Sequence, residues 1–210
     1  MLRSPPALGL SGSISRPDGN FTGVVQLVVA LVGKRLELMH DVVPQARVIA
    51  FLNNPRRPNV SVQTHEMQAA ARALGLDLLL VEASDDDGIE AALRSARAAA
   101  GALVIAGDPY FLARQQLITS AVARHGLPTT YFFKDFVLIG GLISYGSSLS
   151  GAFHQVGIYV GRILSGAKVS DLPMVQQSDK LELVVNLATA RSLGLSVPAS
   201  ILAQADAVVE

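Results

Sequence analysis

The chain has 210 residues, half of them hydrophobic, so it can build a sizeable globular core. Seventeen basic and seventeen acidic residues cancel, which leaves no basic field for phosphate backbones and argues against nucleic acid as a partner. The absence of cysteine excludes disulfides, thiolate metal sites and cysteine nucleophiles but leaves the compartment open.

Met1-Leu2-Arg3-Ser4-Pro5-Pro6 is followed by Gly and Ser where a signal peptide would carry an apolar core, so no signal peptide is expected in this chain. Arg16-Pro17-Asp18-Gly19-Asn20-Phe21-Thr22-Gly23 concentrates turn formers and reads as a loop. The longest apolar stretch, 24–32, is broken by Gln26 and stops at Gly33-Lys34-Arg35, short of the roughly 20 residues that span a bilayer. From 26 to 42 apolar residues recur at helical spacing, with Lys34, Arg35 and Glu37 on the polar side and Pro44 closing the helix.

From Arg47 onward one unit repeats: a short apolar run, a polar turn, then an amphipathic stretch with glycine near its end. The apolar runs are 48–52, 78–81, 102–105 and 129–132, and helices are expected at about 62–74, 87–100 and 111–124, closed by Gly75, Gly101 and Gly126. Such alternation predicts an α/β fold in which these four runs are parallel strands of one doubly wound sheet with helices on both faces. After Gly140-Gly141 come a strand at 142–145, a capping turn at 147–150 and a helix at 152–164 closed by Gly166. Strands at 175–177 and 181–185 flank a turn at Ser178-Asp179, and their close spacing suggests a hairpin or chain reversal. A short helix at 189–193 ends at Gly194, and Pro198 starts another.

Open parallel sheets place ligands beyond the carboxyl ends of their strands, where the polar turns fall. Asn53 and Asn54 follow the first run, with Ser61 close by; amide and hydroxyl donors beside a helix amino terminus would suit a carboxylate. The competing reading is an ordinary Asn-Pro turn with Ser61 capping a helix. Asp108, after the third run, would pair with a ligand ammonium, or would simply cap the helix that starts near Pro109. Tyr131, Phe132 and Phe133 end the fourth run, where an aromatic stacks on a flat ligand or packs in the core. Asn53, Asp108 and either Tyr131 or Phe133 are expected to converge on one sheet edge.

The four histidines have no ligand spacing, and Asp85-Asp86-Asp87 lacks the spaced ligands of a calcium loop, so no metal is expected and the aspartates read as a solvated turn at a helix start. No nucleophile elbow, phosphate loop or paired carboxylates at a strand end mark a catalytic site, and no cofactor is expected.

The turn-rich segment 16–23, Gly33-Lys34-Arg35-Leu36-Glu37-Leu38, Pro44-Gln45-Ala46-Arg47-Val48, Asn54-Pro55, Leu142-Ile143-Ser144-Tyr145-Gly146, and Leu181-Glu182-Leu183-Val184-Val185-Asn186-Leu187 with 190–195 occur in an order that resembles the ABC-transporter substrate-binding proteins of the tryptophan/tyrosine type. The resemblance covers nearly the whole chain. It implies a type I periplasmic-binding-protein-like fold of two α/β lobes joined by three crossovers, which close around a small solute such as an amino acid or related carboxylate and present it to a membrane permease. Capture of this kind is not catalysis. Ser144 and Tyr145 would then lie at a crossover beside the ligand, joining Asn53, Asn54, Ser61, Asp108, Tyr131 and Phe133.

Relatives carry an export signal and most of an amino-terminal lobe before the point where this sequence begins. By that resemblance residues 1–21 are a remnant and crossover, 22–141 with 170–210 form a nearly complete second lobe, and 142–169 return to a truncated first one. Solute capture is then expected to be impaired, with self-association through the uncovered lobe face. The family works outside the cytoplasm, whereas a chain expressed as written would remain in it. Where the family carries acidic and basic residues after the Tyr-Gly turn, this sequence has Ser150-Gly151-Ala152-Phe153-His154-Gln155. Two other classes share the scaffold: a ligand-sensing or interaction module like the effector domains of transcription repressors, and an enzyme on a doubly wound sheet.

Overall fold

The computed structural model describes residues 13–17, 19–26, 28–176 and 181–210. The chain divides into two compact units, one of Met1–Leu27 with Ser147–Leu181 and a larger one of Val28–Gly146 with Glu182–Glu210.

In the first unit, β1 (Val24–Val25) pairs in parallel with β7 (Val175–Gln176). The helix of this unit, α7 (Leu149–Leu164), starts with Ser148 accepting from the Gly151 N–H, as the capping turn predicts. Its Tyr159 donates to the Pro173 carbonyl at 2.7 Å, while Phe153 and Leu164 are exposed. The expected helix over 26–42 is corrected at its start. Val24 and Val25 are held by a strand at the far end of the chain, Val175–Gln176, and the helix α1 covers Val32–Val42. Arg35 shows why the helix starts there: fully buried, it donates from Nε to the Leu31 carbonyl at 3.3 Å and from Nη2 to the Val28 carbonyl, fastening the turn that precedes the helix. Burial lowers its guanidinium to about 9, so it is still charged at neutral pH.

The second unit is built on a seven-stranded sheet. Its strands are β2 (Val48–Asn53), β3 (Asp77–Glu82), β4 (Ala102–Ile105), β5 (Thr129–Tyr131), β6 (Ile143–Ser147), β8 (Leu181–Asn186) and β9 (Ala207–Val209), in the spatial order β3-β2-β4-β5-β6-β8-β9. The four repeated runs are β2, β3, β4 and β5, and all pair in parallel, as their alternation with helices requires. Side chains alternate across the sheet. Ile49, Phe51, Ala102 and Val104 face a core completed by Leu36 and Met39 of α1 and by Met67 of α2 (Val60–Ala73). Ala50, Leu52, Leu103 and Ile105 face the other way, where α3 (Asp86–Ala99) packs on β2, β3 and β4 and against α5 (Gln115–His125). The buried Ile89, Leu93 and Ala96 of α3 recur at three and four residues, giving the apolar stripe that covers a sheet. Full burial of a residue such as Phe51 contributes about 1.5–3 kcal/mol.

Several expectations are corrected. The helix expected over 111–124 is two, α4 (Pro109–Ala113) and α5, separated at Arg114, whose side chain leaves the helix line to bond Asp86 at 2.7 Å. Gly75 and Gly126 take left-handed backbone after their helices, but Gly101 does not; α3 ends in extended chain at Ala100. Of the expected hairpin or chain reversal, the hairpin pairing is corrected: β7 pairs with β1, whereas β8 belongs to the large sheet. The expected turn itself, with Gln177, lies outside the described residues. The strand expected at 142–145 is β6, placed between β5 and β8. The short helix α6 (Lys134–Leu138) and the strand β9 carried too little periodicity to be read from the sequence. The remaining short helices are α8 (Leu187–Ser192), which Asn186 caps through the Thr189 N–H, and α9 (Ala199–Leu202).

Among the described residues, no helix is long and apolar enough to cross a membrane.

Candidate functional site

At the carboxyl ends of β2 and β4 the chain turns sharply on both strands. The Ala106 N–H donates to the Leu52 carbonyl at 2.9 Å, and that of Ala83 to the Asn53 carbonyl at 3.0 Å, so the three strand ends lie side by side. Gly107 follows β4, and a Cβ there would lie 2.5 Å from the Val28 Cβ; only glycine lets the backbone come so close. Gln63 fixes this turn. Its amide accepts from the Gly107 N–H at 3.0 Å and donates to the Gly107 carbonyl at 3.2 Å, pairing with the backbone as a neighbouring strand would. Gln63 was not legible as a site residue, yet it shares its buried helix face with Met67 and Ala71, and a polar residue in such a stripe is the available signal.

The turn delivers Asp108 to a buried position, 2% exposed. Its Oδ1 accepts from the backbone N–H groups of Tyr110 at 2.7 Å and Phe111 at 3.2 Å, capping α4, and from Asn54 Nδ2 at 3.5 Å. Arg57 Nε lies 3.1 Å from Oδ2, close enough for an ion pair but off the line of a hydrogen bond, so Oδ2 has no hydrogen-bond donor. Asp108 is thus a helix cap through one oxygen and an underused carboxylate through the other. A buried carboxylate oxygen without donors is costly unless a cation or donor meets it.

Asn54 accepts from the Arg56 N–H at 3.1 Å, the local bond that makes Asn-Pro a stable turn. Asn53 is buried, donates to Thr64 Oγ1 at 3.4 Å and leaves its own Oδ1 without a donor. The structure therefore brings Asn53, Asn54 and Asp108 to one sheet edge. Phe133, 5% exposed, follows β5 and packs on Phe132 with ring centroids 5.0 Å apart. Since Val104 pairs with Thr130, continuing the register puts Phe133 level with Gly107 at that same edge.

The other expected residues do not join this group. Tyr131 is fully buried, stacked on Phe136 at 4.8 Å, and lines a cavity of about 240 Å³ with Thr119, Leu127, Leu142 and Thr189, none of which belongs to the Asp108 edge. Burial pushes its phenol well above the ordinary value, with Thr119 and Thr129 nearby pulling weakly the other way; neither is aligned as a hydrogen bond. Ser144 pairs with Tyr131 across the β5–β6 register and is buried inside the sheet, while Tyr145 packs against the α1–α2 core. Both stand just before the chain passes from the second unit to the first at Ser147. Ser61 is exposed and makes no cap, since α2 starts at Val60 and its N-cap, Asn59, offers no side-chain bond.

Near this edge Asp85 caps α3 through the Gly88 N–H at 2.8 Å, and Asp86 accepts from the Tyr110 hydroxyl and from Arg114. Those two hydrogen bonds, Tyr110's first, hold the Asp86 carboxyl below the usual carboxylate range. The aspartate run is therefore a helix start that also anchors α4. Among the described residues, no group of three or more His, Asp or Glu is placed to hold a metal ion.

A protein-family model described as ABC transporter substrate binding protein matches residues 3–209. This chain belongs to that family. A tyrosine-binding protein from Clostridioides difficile (strain R20291) is 22% identical over 191 residues, which is 91% of this chain and 54% of that protein. The chain thus spans about half the length of this curated relative. Among solved structures, the ABC domain from Streptococcus pneumonia in complex with L-Trp superposes with a TM-score of 0.83 at 23% identity, covering 98% of this chain and 70% of that one. A ligand-free, open substrate-binding protein with adhesive properties from Clostridium difficile gives 0.68 at 22% identity, covering 99% and 68%. These likenesses establish the fold as α/β and type I periplasmic-binding-protein-like. A buried carboxylate beside an amide offers non-covalent polar contacts of the kind a small-molecule site uses.

Proposed function

We propose that this chain captures an α-amino acid by non-covalent binding at the Asp108 edge of the seven-stranded sheet, as the solute-binding component of an ABC-type importer. The observation that carries the reading is Asp108 itself: buried, and holding an oxygen that Arg57 meets at 3.1 Å but that no hydrogen bond satisfies. A ligand ammonium supplies the donors that oxygen lacks. Asn53 and Asn54 would add polar contacts and Phe133 an apolar wall. Tyr131, Ser144 and Ser61 stay outside this proposal, because two are buried elsewhere and the third faces solvent.

Family membership supports solute capture, and similarity to a tyrosine-binding protein and to a domain in complex with L-Trp favours an aromatic amino acid. Closure of lobes about a hinge would bury the solute, a membrane permease would receive it, and the working place would be outside the cytoplasm. Isothermal calorimetry of the purified chain against L-tryptophan, L-tyrosine, D-ribose and acetate tests the reading. Saturable heat is expected with the amino acids alone. Binding of the sugar in preference, or of none of the four, contradicts it.

A further inference from the structure

Resting on that reading, we infer that Arg57 reads the carboxylate of the amino acid and so makes the site selective for a zwitterion. Arg57 sits in the turn between β2 and α2, where its backbone is fixed on both sides: its N–H donates to the Asn54 carbonyl at 3.1 Å and its carbonyl accepts from the Val60 N–H at 3.2 Å. Its side chain is different. It is 43% exposed, and its one ion-pair partner among the described residues is Asp108, met at 3.1 Å through Nε without hydrogen-bond alignment. A guanidinium donates best through a planar fork to two acceptor oxygens, and Asp108 cannot supply that pair because Oδ1 is already taken by Tyr110, Phe111 and Asn54.

An α-amino acid carries its ammonium and its carboxylate on one carbon, so their separation matches the short distance between Asp108 and Arg57. The two charge pairs fit antiparallel: ammonium to Asp108 Oδ2, carboxylate to Arg57. As the ammonium arrives, the guanidinium gives up Oδ2 and turns its fork to the incoming carboxylate. Arg57 thereby neutralises a negative group that Asp108 would otherwise repel, a task that the neutral amides of Asn53 and Asn54 cannot perform. An amine without a carboxylate displaces Arg57 and gains nothing from it. An acid without an ammonium meets Asp108 unpaired.

The test compares L-tryptophan, tryptamine and indole-3-propionate on the full chain and its Arg57→Ala, Arg57→Lys and Asp108→Asn variants, with dissociation constants from ligand-observed NMR titration. The unaltered chain should prefer L-tryptophan to both analogues. Arg57→Ala should weaken L-tryptophan by about tenfold, the scale of a hydrogen bond to a charged group, and leave tryptamine unweakened, so that the preference collapses. Arg57→Lys should fall between them, since it keeps the charge and loses the fork. If Arg57→Ala leaves the ratio of L-tryptophan to tryptamine unchanged while Asp108→Asn still abolishes both, Arg57 is not the reader and the amino-acid site stands. If L-tryptophan does not bind the unaltered chain at all, the inference falls together with the site.

Discussion

Asp108→Asn is expected to weaken L-tryptophan by about 2–5 kcal/mol, the range for removing one partner of a buried charged pair, while changing the stability of the chain by less than about 1 kcal/mol. The two effects separate because the two oxygens do different work. Asparagine keeps an acceptor where Oδ1 takes the Tyr110 and Phe111 N–H groups, and it is among the best helix N-caps, so α4 keeps its start. What it lacks is the negative charge at Oδ2, the atom that meets Arg57 and, in this account, the ligand ammonium. Calorimetry and a urea unfolding curve on the same preparation read both quantities. An unchanged affinity would remove Asp108 from the site; a large loss of stability would make it a structural residue first.

The second large effect is on folding. Gly146→Ala should destabilise the larger unit by about 3 kcal/mol, at the upper end for inserting a methyl into a packed interior. A Cβ at this position would lie 2.0 Å from the Phe132 carbonyl oxygen and 3.0 Å from its carbon. The obstacle is backbone, just past the end of β5, so β5 and β6 must part for the methyl to fit. Gly157→Ala is the contrasting variant. On α7 nothing lies within 4 Å of the added carbon, and alanine in a helix gains roughly 0.5–1 kcal/mol over glycine. Midpoints of urea unfolding should move in opposite directions for the two. Equal shifts would mean that the close approach at Gly146 is relieved without cost.

The parallel core was legible because β2, β3, β4 and β5 are uninterrupted apolar runs with helices between them, a pattern that local sequence alone prescribes. The start of α1 was not, since Val24 and Val25 are taken by β7 from the far end of the chain, a long-range pairing that no window of neighbouring residues contains. For the same reason β7 and β8 read as a hairpin or chain reversal, although they serve separate sheets. In the candidate site, the rule that strand ends carry ligands points to Asn53, Asn54 and Asp108, which the fold places at one sheet edge. Tyr131 satisfies that rule too, but it is the last residue of β5, and the pleat turns its ring to stack on Phe136 beside a separate cavity. Facing is set by register, which the run of aromatics at 131–133 does not reveal. Arg57 and Gln63 carry no such signal, because each looks ordinary in sequence: one is a loop arginine, the other a helix glutamine whose burial depends on Gly107 lying opposite.

Amide chemical shifts of the isotope-labelled chain, recorded as L-tryptophan is added, test the central claim most directly. The Tyr110 and Phe111 N–H groups both donate to Asp108, so a cation arriving at that carboxylate must change their shielding, and the Asn54 side-chain amide should move with them. The account predicts saturable shifts at these positions and little change at Gly140, Thr189 and Ser192 around the Tyr131 cavity. Saturable shifts confined to the cavity, with the Tyr110 and Phe111 amides unmoved, would contradict it.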